Sequence, residues 1–226
     1  MFDIVFISYN EPNGDDNWTS LVSRFPYARR IHGVKGIHQA HSTAAKLFGI
    51  TEKFWVVDGD SQIEETFNFV PPVDLWDDAV YVYRARNPVN DLVYGYGGLK
   101  LLPRIKTATM NVNNTDMSTS ISENFFVVDK IASVTRFNTD PFNTWKSAFR
   151  ECVKLSSKVI TNQVDDETVE RLDVWCNVAK GPFADYSIEG AIAGRHYGED
   201  NKGNIEALSK INDFNWLKEQ FNNQVD

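Results

Sequence analysis

Three short apolar runs, DIVFISYN, RRIHGV and FWVVDGD, fall within the first 60 residues, and two stretches of helical pattern separate them. Runs of four to eight apolar residues bounded by turn formers read as buried strands. The loop EPNGDDN follows the first, with Asp16 or Asn17 as cap of a helix through about Arg24. After the second, Lys35 and Gly36 lead into a helix over IHQAHSTAAKLFG that Gly49 stops. Strand, helix, strand, helix, strand is the order that builds a parallel α/β layer and not an antiparallel sandwich. With 226 residues the chain can bury a sizeable core.

The later sequence changes character. AVYVYRARN and LVYGYGGLKLLPR are strand-like and aromatic, with glycines that mark turns or close backbone approach. TATMNVNNTDMSTSIS reads as a loop with a short strand. In NTDPFNTWKSAFRECVKLSSK, Trp145, Phe149, Cys152 and Leu155 share one helical face, and Pro141 suits the first turn. DDETVERLDVWCNVA is a second helix with Val169, Leu172 and Cys176 on one side and acidic residues at its positive N-terminal end. The tail from about Asn204 reads as two short helices. No repeat or biased linker interrupts the chain, so the expectation is one α/β domain over 1–226 with an irregular second half.

Composition removes whole classes. Lys plus Arg number 23 against 31 Asp plus Glu, a formal net charge of -8 with a pI of about 5.0, which opposes bulk capture of nucleic acid. No apolar stretch reaches the roughly 18 residues of a membrane span. MFDIVFISYN lacks a basic flank and carries Asp3 inside its apolar run, unlike a signal peptide. Cys152 and Cys176 form neither a disulfide framework nor a metal spacing. A cytoplasmic location, with no membrane partner, is the expectation; nothing in the pattern fixes an oligomeric state.

Asp58, Gly59 and Asp60 are the most informative residues. Ligands of open α/β sheets collect at the carboxyl ends of strands, and two carboxylates spaced Asp-x-Asp at such an end can share a hard divalent cation whose shell is completed by water and phosphate. Ser8, Tyr9 and Asn10 end the first strand, where a nucleoside can sit.

FWVVDGD resembles the metal-binding segment of GT-A-type glycosyltransferases, which move a sugar from a nucleotide-sugar to an acceptor. YGYGGLK is similar to the glycine loop that lines sugar and acceptor in such enzymes. Asn138, Thr139, Asp140 and Pro141 resemble the acidic acceptor region, and GRHYGED supplies a late histidine, His196. FDIVFISYNEPN, RNPVNDLVYGYGGLK and FNTDPFNTWKSAFREC look like small tailed-bacteriophage glycosyltransferases linked to glucose or arabinose addition on hydroxymethylcytosine in DNA.

The resemblance implies a GT-A-like Rossmann-type sheet, with 1–70 as nucleotide-sugar half and 71–226 as a mixed acceptor half. It implies Mn2+ or Mg2+ on Asp58, Asp60 and His196, and a UDP-sugar met by Ser8, Tyr9, Asn10, Arg30, Lys35, Asp58, Gly97 and Gly98. Asp140 is the first choice of base if the anomeric configuration inverts, with Asp116 the second. Arg84, Arg86, Lys100, Arg104 and Lys106 make the densest basic region and are the expected contacts to acceptor DNA. A protein or small-molecule acceptor is the alternative. A haloacid-dehalogenase-type phosphatase also carries Asp-x-Asp, but after its first strand and followed by Gly-Thr, where this chain has Ser61 and Gln62. A sugar-nucleotide-forming nucleotidyltransferase lacks its glycine-rich basic loop here, and a non-catalytic phage binding protein stays open. His38 and His41, three apart on a helix, read as nucleotide-facing or surface residues; Trp76 has no evident place.

Overall fold

A computed structural model describes residues 1–47, 51–95, 97–112, 116–160 and 163–225. The expected helix stop at Gly49, Tyr96 of the YGYGGLK run and residues 113–115 of the Asn-rich loop lie outside the described residues. The strands are β1 (Asp3–Ser8), β2 (Arg29–His32), β3 (Lys53–Asp58), β4 (Ser61–Ile63), β5 (Val80–Arg86), β6 (Val93–Tyr94), β7 (Leu99–Pro103) and β8 (Phe125–Thr135). The helices are α1 (Gly14–Arg24), α2 (Ile37–Leu47), α3 (Arg104–Ala108), α4 (Met117–Ile121), α5 (Pro141–Ser157), α6 (Asp165–Asn177), α7 (Ala184–Asp200), α8 (Ile205–Ser209) and α9 (Phe214–Val225).

The chain is of the α/β class and divides into two compact units. A sheet unit comprises Met1–Asn87, Val93–Val112 and Met117–Arg136; a helical unit comprises the described residues of Pro88–Leu92, Asn113–Asp116 and Phe137–Asp226. A division after residue 70 cuts through the sheet, because β5, β7 and β8 all belong to it.

In the sheet unit the strand order is β2-β1-β3-β7-β5-β8-β4, with β6 paired to β5. The expected parallel layer is present where the strand–helix alternation was read: β1 runs parallel to β2 and to β3. Beyond it the sheet is mixed, since β7 is antiparallel to both β3 and β5, β8 is parallel to β5, and β4 is antiparallel to β8. Side chains alternate across the strands into two cores. Ile4, Phe6, Trp55, Val57, Leu99 and Leu101 meet Leu21 and Trp18 of α1; Val5, Phe54, Val56, Val82 and Leu102 meet Ala44 and Ala45 of α2. The two helices thus cover opposite faces, as crossover connections in a parallel layer require.

Three local readings need correction. α1 begins at Gly14 after Asn13, not at Asp16 or Asn17; Asn17 lies within the helix, buried, and its amide donates to Gly59 O at 2.9 Å. The polar stretch after Pro103 carries α3 and α4 instead of a strand; Met117 and Ile121 of α4 anchor it in the α2-side core. On α6 the buried residues are Thr168, Leu172, Trp175 and Cys176, and Val169 is 67% exposed, so the buried face is turned away from Val169.

The helical unit is built around α5 and α7. Asp140 caps α5, its carboxylate accepting from Asn143 N at 2.8 Å, and Pro141 follows it in the first turn as read. Trp145, Phe149, Cys152 and Leu155 are buried as expected. α7 was not foreseen. Its Gly190, Gly194 and Gly198 recur every fourth residue on the face toward α5, where a methyl group would stand 2.4 Å from Trp145 O, 2.2 Å from Phe149 O and 2.7 Å from Val153 O. Backbone meets backbone along this seam.

Candidate functional site

α1 returns the chain from β1 to β2 on one side, and α2 then carries it across to β3 on the other. The strand order therefore reverses between β1 and β3, the place where open α/β sheets bind ligands. The carboxyl ends there are Ser8 and Asp58, one residue out of register, since Ile7 is the partner of Asp58.

Asp58 lies on the α2 side of β3 and is 31% exposed. Both of its oxygens accept hydrogen bonds from the Lys100 ammonium, at 2.9 and 2.8 Å. Lys100 sits in β7 among Leu99, Leu101 and Leu102, its side chain 2% exposed, so the pair is a buried ammonium neutralised by a carboxylate at the crevice edge. Lys100 therefore does not belong to a solvent-facing basic strip. Its charge is met inside by the Asp58 carboxylate.

His41 of α2 completes the group. Its Nδ1 lies 2.8 Å from the Ile37 carbonyl, which can only accept, so Nδ1 carries the hydrogen. Burial, and next the Lys100 charge, lower its pKa to about 4, with Asp58 offsetting only part. The ring is neutral and its Nε2 is a bare lone pair 3.9 Å from Asp58 Oδ1, without a hydrogen-bond partner among the described residues. The approach is not an ion pair. Two acceptors face each other across a gap that a donor can bridge.

On the α1 side, Ser8 Oγ accepts from Arg30 Nε at 2.9 Å and stands 3.0 Å from His32 Nδ1, while Arg30 also pairs with Asp15 at 2.7 Å. Glu11 folds back so that its Oε2 accepts from Tyr9 N at 2.7 Å, and a methyl group on Gly59 would stand 2.7 Å from that oxygen. A side chain at Gly59 would have to displace Glu11 from this position. The Gly98 carbonyl accepts from Asp58 N at 2.8 Å, and a methyl group there would stand 2.3 Å from Ser61 Oγ. Ser61 and Thr135 are partners across the β4–β8 ladder, and both hydroxyls are buried without a hydrogen-bond partner among the described residues. Gly97 turns into β7 with a φ of +83°.

Thus Ser8 and Arg30 meet at the ends of β1 and β2 on the α1 side, and Asp58, Gly98 and Lys100 meet at the ends of β3 and β7, with Asp60 directly after β3, its carbonyl accepting from Arg136 N at 2.7 Å. Tyr9 touches the site through its backbone; Asn10 and Lys35 are exposed beside it. Glu11, His32 and the inward role of His41 were not read from the sequence. The signals were there in part: a lysine inside the apolar run LKLLP and a histidine flanked by small helix residues (Ala40, Ala44 and Ala45).

The remaining residues have other partners. His196 is exposed on α7 and belongs to the helical unit, whereas Asp58 and Asp60 belong to the sheet unit. Asp140 is occupied as a cap, with Asn143 Nδ2 donating to its second oxygen at 2.5 Å. Asp116 is buried against Lys154 at 2.9 Å, so it is not placed as a mobile acid or base. Arg84 pairs with Asp129 at 2.8 Å and Lys106 with Asp78 at 2.9 Å; Arg86 is exposed, and Arg104 starts α3 half-buried. Of the expected basic strip, Arg84, Lys100 and Lys106 are thus paired with carboxylates. Among the described residues no three His, Cys, Asp or Glu side chains are grouped to hold a metal ion, and no helix is long and apolar enough to cross a membrane. Searches of protein-family models, curated proteins and solved structures return no match to this chain.

Proposed function

We propose that the carboxyl ends of β1 and β3 bind a nucleotide-sugar, and that the protein is a GT-A-like glycosyltransferase passing the sugar to a hydroxyl. The observation that carries this reading is the acidic turn Asp58-Gly59-Asp60 leaving β3 where the strand order reverses beside β1. Arg30, His32 and Ser8 form a polar cluster on the β1–β2 side of that reversal, suited to ribose and phosphate oxygens. Lys100 holds the Asp58 carboxylate, which is 31% exposed, in one orientation at the strand end, where it can accept from a sugar hydroxyl.

Mn2+ or Mg2+ belongs to the proposal in altered form. Lys100 already neutralises Asp58, so the acidic turn would hold the ion with substrate phosphates completing its shell, which suits a hard cation that takes one or two carboxylates plus phosphates. The ion would offset charge on the leaving diphosphate. Neither Asp140 nor Asp116 is retained as the base. The acceptor, 5-hydroxymethylcytosine in DNA with glucose or arabinose as the sugar, rests on the resemblance, and Arg86 is the exposed cation it would use.

The test has two arms. UDP with Mn2+ should raise the thermal midpoint, since a ligand at a hundred times its Kd stabilises by about 2.7 kcal/mol. Incubation of hydroxymethylcytosine DNA with a panel of UDP-sugars should add one hexose or pentose to the modified nucleoside, read by mass spectrometry. No nucleotide stabilisation overturns the donor site. Stabilisation and UDP-sugar hydrolysis with unchanged DNA overturn the DNA acceptor alone.

A further inference from the structure

The helical unit gathers cations where α5 meets the start of α9. Lys218 Nζ lies over the Phe142 ring, 4.4 Å from its centroid, and 5.2 Å from that of Phe221. Lys146 Nζ stands 5.4 Å from the same Phe142 centroid and 4.6 Å from that of Phe214, and the Arg150 guanidinium is 5.7 Å from Phe214. Lys218, Phe142, Lys146, Phe214 and Arg150 therefore form one row in which cation and ring alternate. The row has a simple origin in the sequence. Phe142, Lys146 and Arg150 recur every fourth residue on α5, and Phe214 and Lys218 do the same on α9.

A ring face attracts a cation but does not neutralise it. The hydrogen bonds that fix the row also end on neutral groups: Lys146 Nζ donates to Asn143 Oδ1 at 2.6 Å, Arg150 Nε to Ile211 O at 2.8 Å and Arg150 Nη2 to Asn212 Oδ1 at 3.1 Å. Lys218 is exposed and makes no ion pair among the described residues. Carboxylates flank the row, and two of them are turned to helix starts: Asp140 accepts from Asn143 N at 2.8 Å and Asp213 from Asn215 N at 2.9 Å. Glu151 and Glu219 follow Arg150 and Lys218 in the sequence. In the sheet unit, by contrast, Arg84, Lys100 and Lys106 are each met by a carboxylate. Cations that share a ring stand within about 10 Å of each other, the Debye length at about 0.1 M salt. They repel, and an outside anion that touches all three relieves the repulsion.

We propose that this row is a docking surface for the phosphate backbone of DNA. Cations repeated along a line suit a polymer that carries a charge at every repeat, whereas a lone phosphate would occupy one of them. The rings hold the long side chains in place, so less freedom is lost when phosphates arrive. The apolar atoms decide against a lipid surface. Phe142 is half-buried and Phe214 is 39% exposed, both with cations over them, whereas membrane binding needs apolar groups that project past the charged ones. The choice of DNA as the polyanion rests on the acceptor proposed above. The row itself reads no sequence, since phosphate contacts position a duplex and carry no base information.

The test measures binding apart from transfer. The full chain, without UDP-sugar, is titrated into a fluorescent DNA duplex and anisotropy is read across salt. Three phosphate contacts should contribute a slope of about −2.7 to log affinity against log salt, a loss of about 40-fold between about 50 and about 200 mM. The triple variant Lys146→Gln, Arg150→Gln, Lys218→Gln should lose that contribution. Lys218→Gln alone, at an exposed position, should lower the slope by about 1. Arg84→Gln, in the sheet unit, should leave it unchanged. DNA that binds through the row and receives no sugar confirms the surface and overturns only the transferase reading. Absence of binding by wild type, a slope that survives in both row variants, or a slope lost in Arg84→Gln instead overturns the surface. Capture by phosphatidylserine vesicles without binding of DNA overturns the choice of partner.

Discussion

In the sheet unit Trp55 packs against Phe67, Phe69 and Tyr83 with ring centroids 6.1, 5.4 and 5.3 Å apart, and Phe25 meets Phe69 at 4.8 Å. In the helical unit the contact between α5 and α7 runs along Gly190, Gly194 and Gly198, whose backbone lies against the Trp145, Phe149 and Val153 carbonyls of α5. The aromatic rings fill the volume between a twisted sheet and α1, where edge-on contacts suit large flat groups. The glycine seam removes that volume, and the large residues of α5 turn instead toward α8 and α9, where Trp145 and Phe149 meet Leu208, Leu217 and Phe221. Close packing is reached by filling space in one unit and by abolishing it in the other.

The difference can be broken from both directions. The largest effect belongs to Trp55→Ala, which should cost about 3–5 kcal/mol through lost burial and the cavity left behind. Hydrogen exchange should then rise in β1, β3 and β5 peptides well before it rises in α5 and α7. Next comes acid. His41 is held neutral in the fold with a pKa of about 4 against an ordinary 6.5. The unfolded chain takes up that proton below pH 6.5 and the folded one does not, so stability is complete above 6.5 and falls by about 3 kcal/mol as the pH drops toward 4. Denaturant titrations of wild type and His41→Gln across this window should show the steeper slope in wild type, the difference between them being the His41 contribution. The smallest is Gly194→Ala. Overpacking costs about 1–3 kcal/mol and the better helix propensity returns at most about 1, so a net loss is expected, with exchange rising first in α5 and α7. A stabilised Gly194→Ala protein would remove the backbone seam from the account.

What was readable in the sequence follows the same divide. β1, β2 and β3 announce themselves because each is a short apolar run between turn formers, and α5 because Asp140 and Pro141 mark its start and its apolar face recurs at helical spacing. α7 did not, since its glycines are poor helix formers in isolation and are supported only by the seam they make. Nor does an apolar run reveal strand direction, so β7 could not be seen to run against β3. At the candidate site the carboxylate of Asp58 was legible and its partner was not. Lys100 was counted as a surface cation because charge alone does not tell which way a strand residue points; its neighbours Leu99 and Leu101 point to the other face, and that assignment needs the sheet.

The bond between Lys100 and Asp58 also sets an order in time. The two residues are 42 positions apart, and β7 lies between β3 and β5 in the sheet. At a synthesis rate of about 5–20 residues per second, Asp58 leaves the ribosome about 2–8 s before its counter-ion does. During that interval β1, β2 and β3 can pair, but β3 has an open edge and its carboxylate no ammonium. The strand that closes the edge and the charge that settles the site arrive in the same five residues, Leu99–Pro103, so the nascent sheet cannot be sealed without also being neutralised.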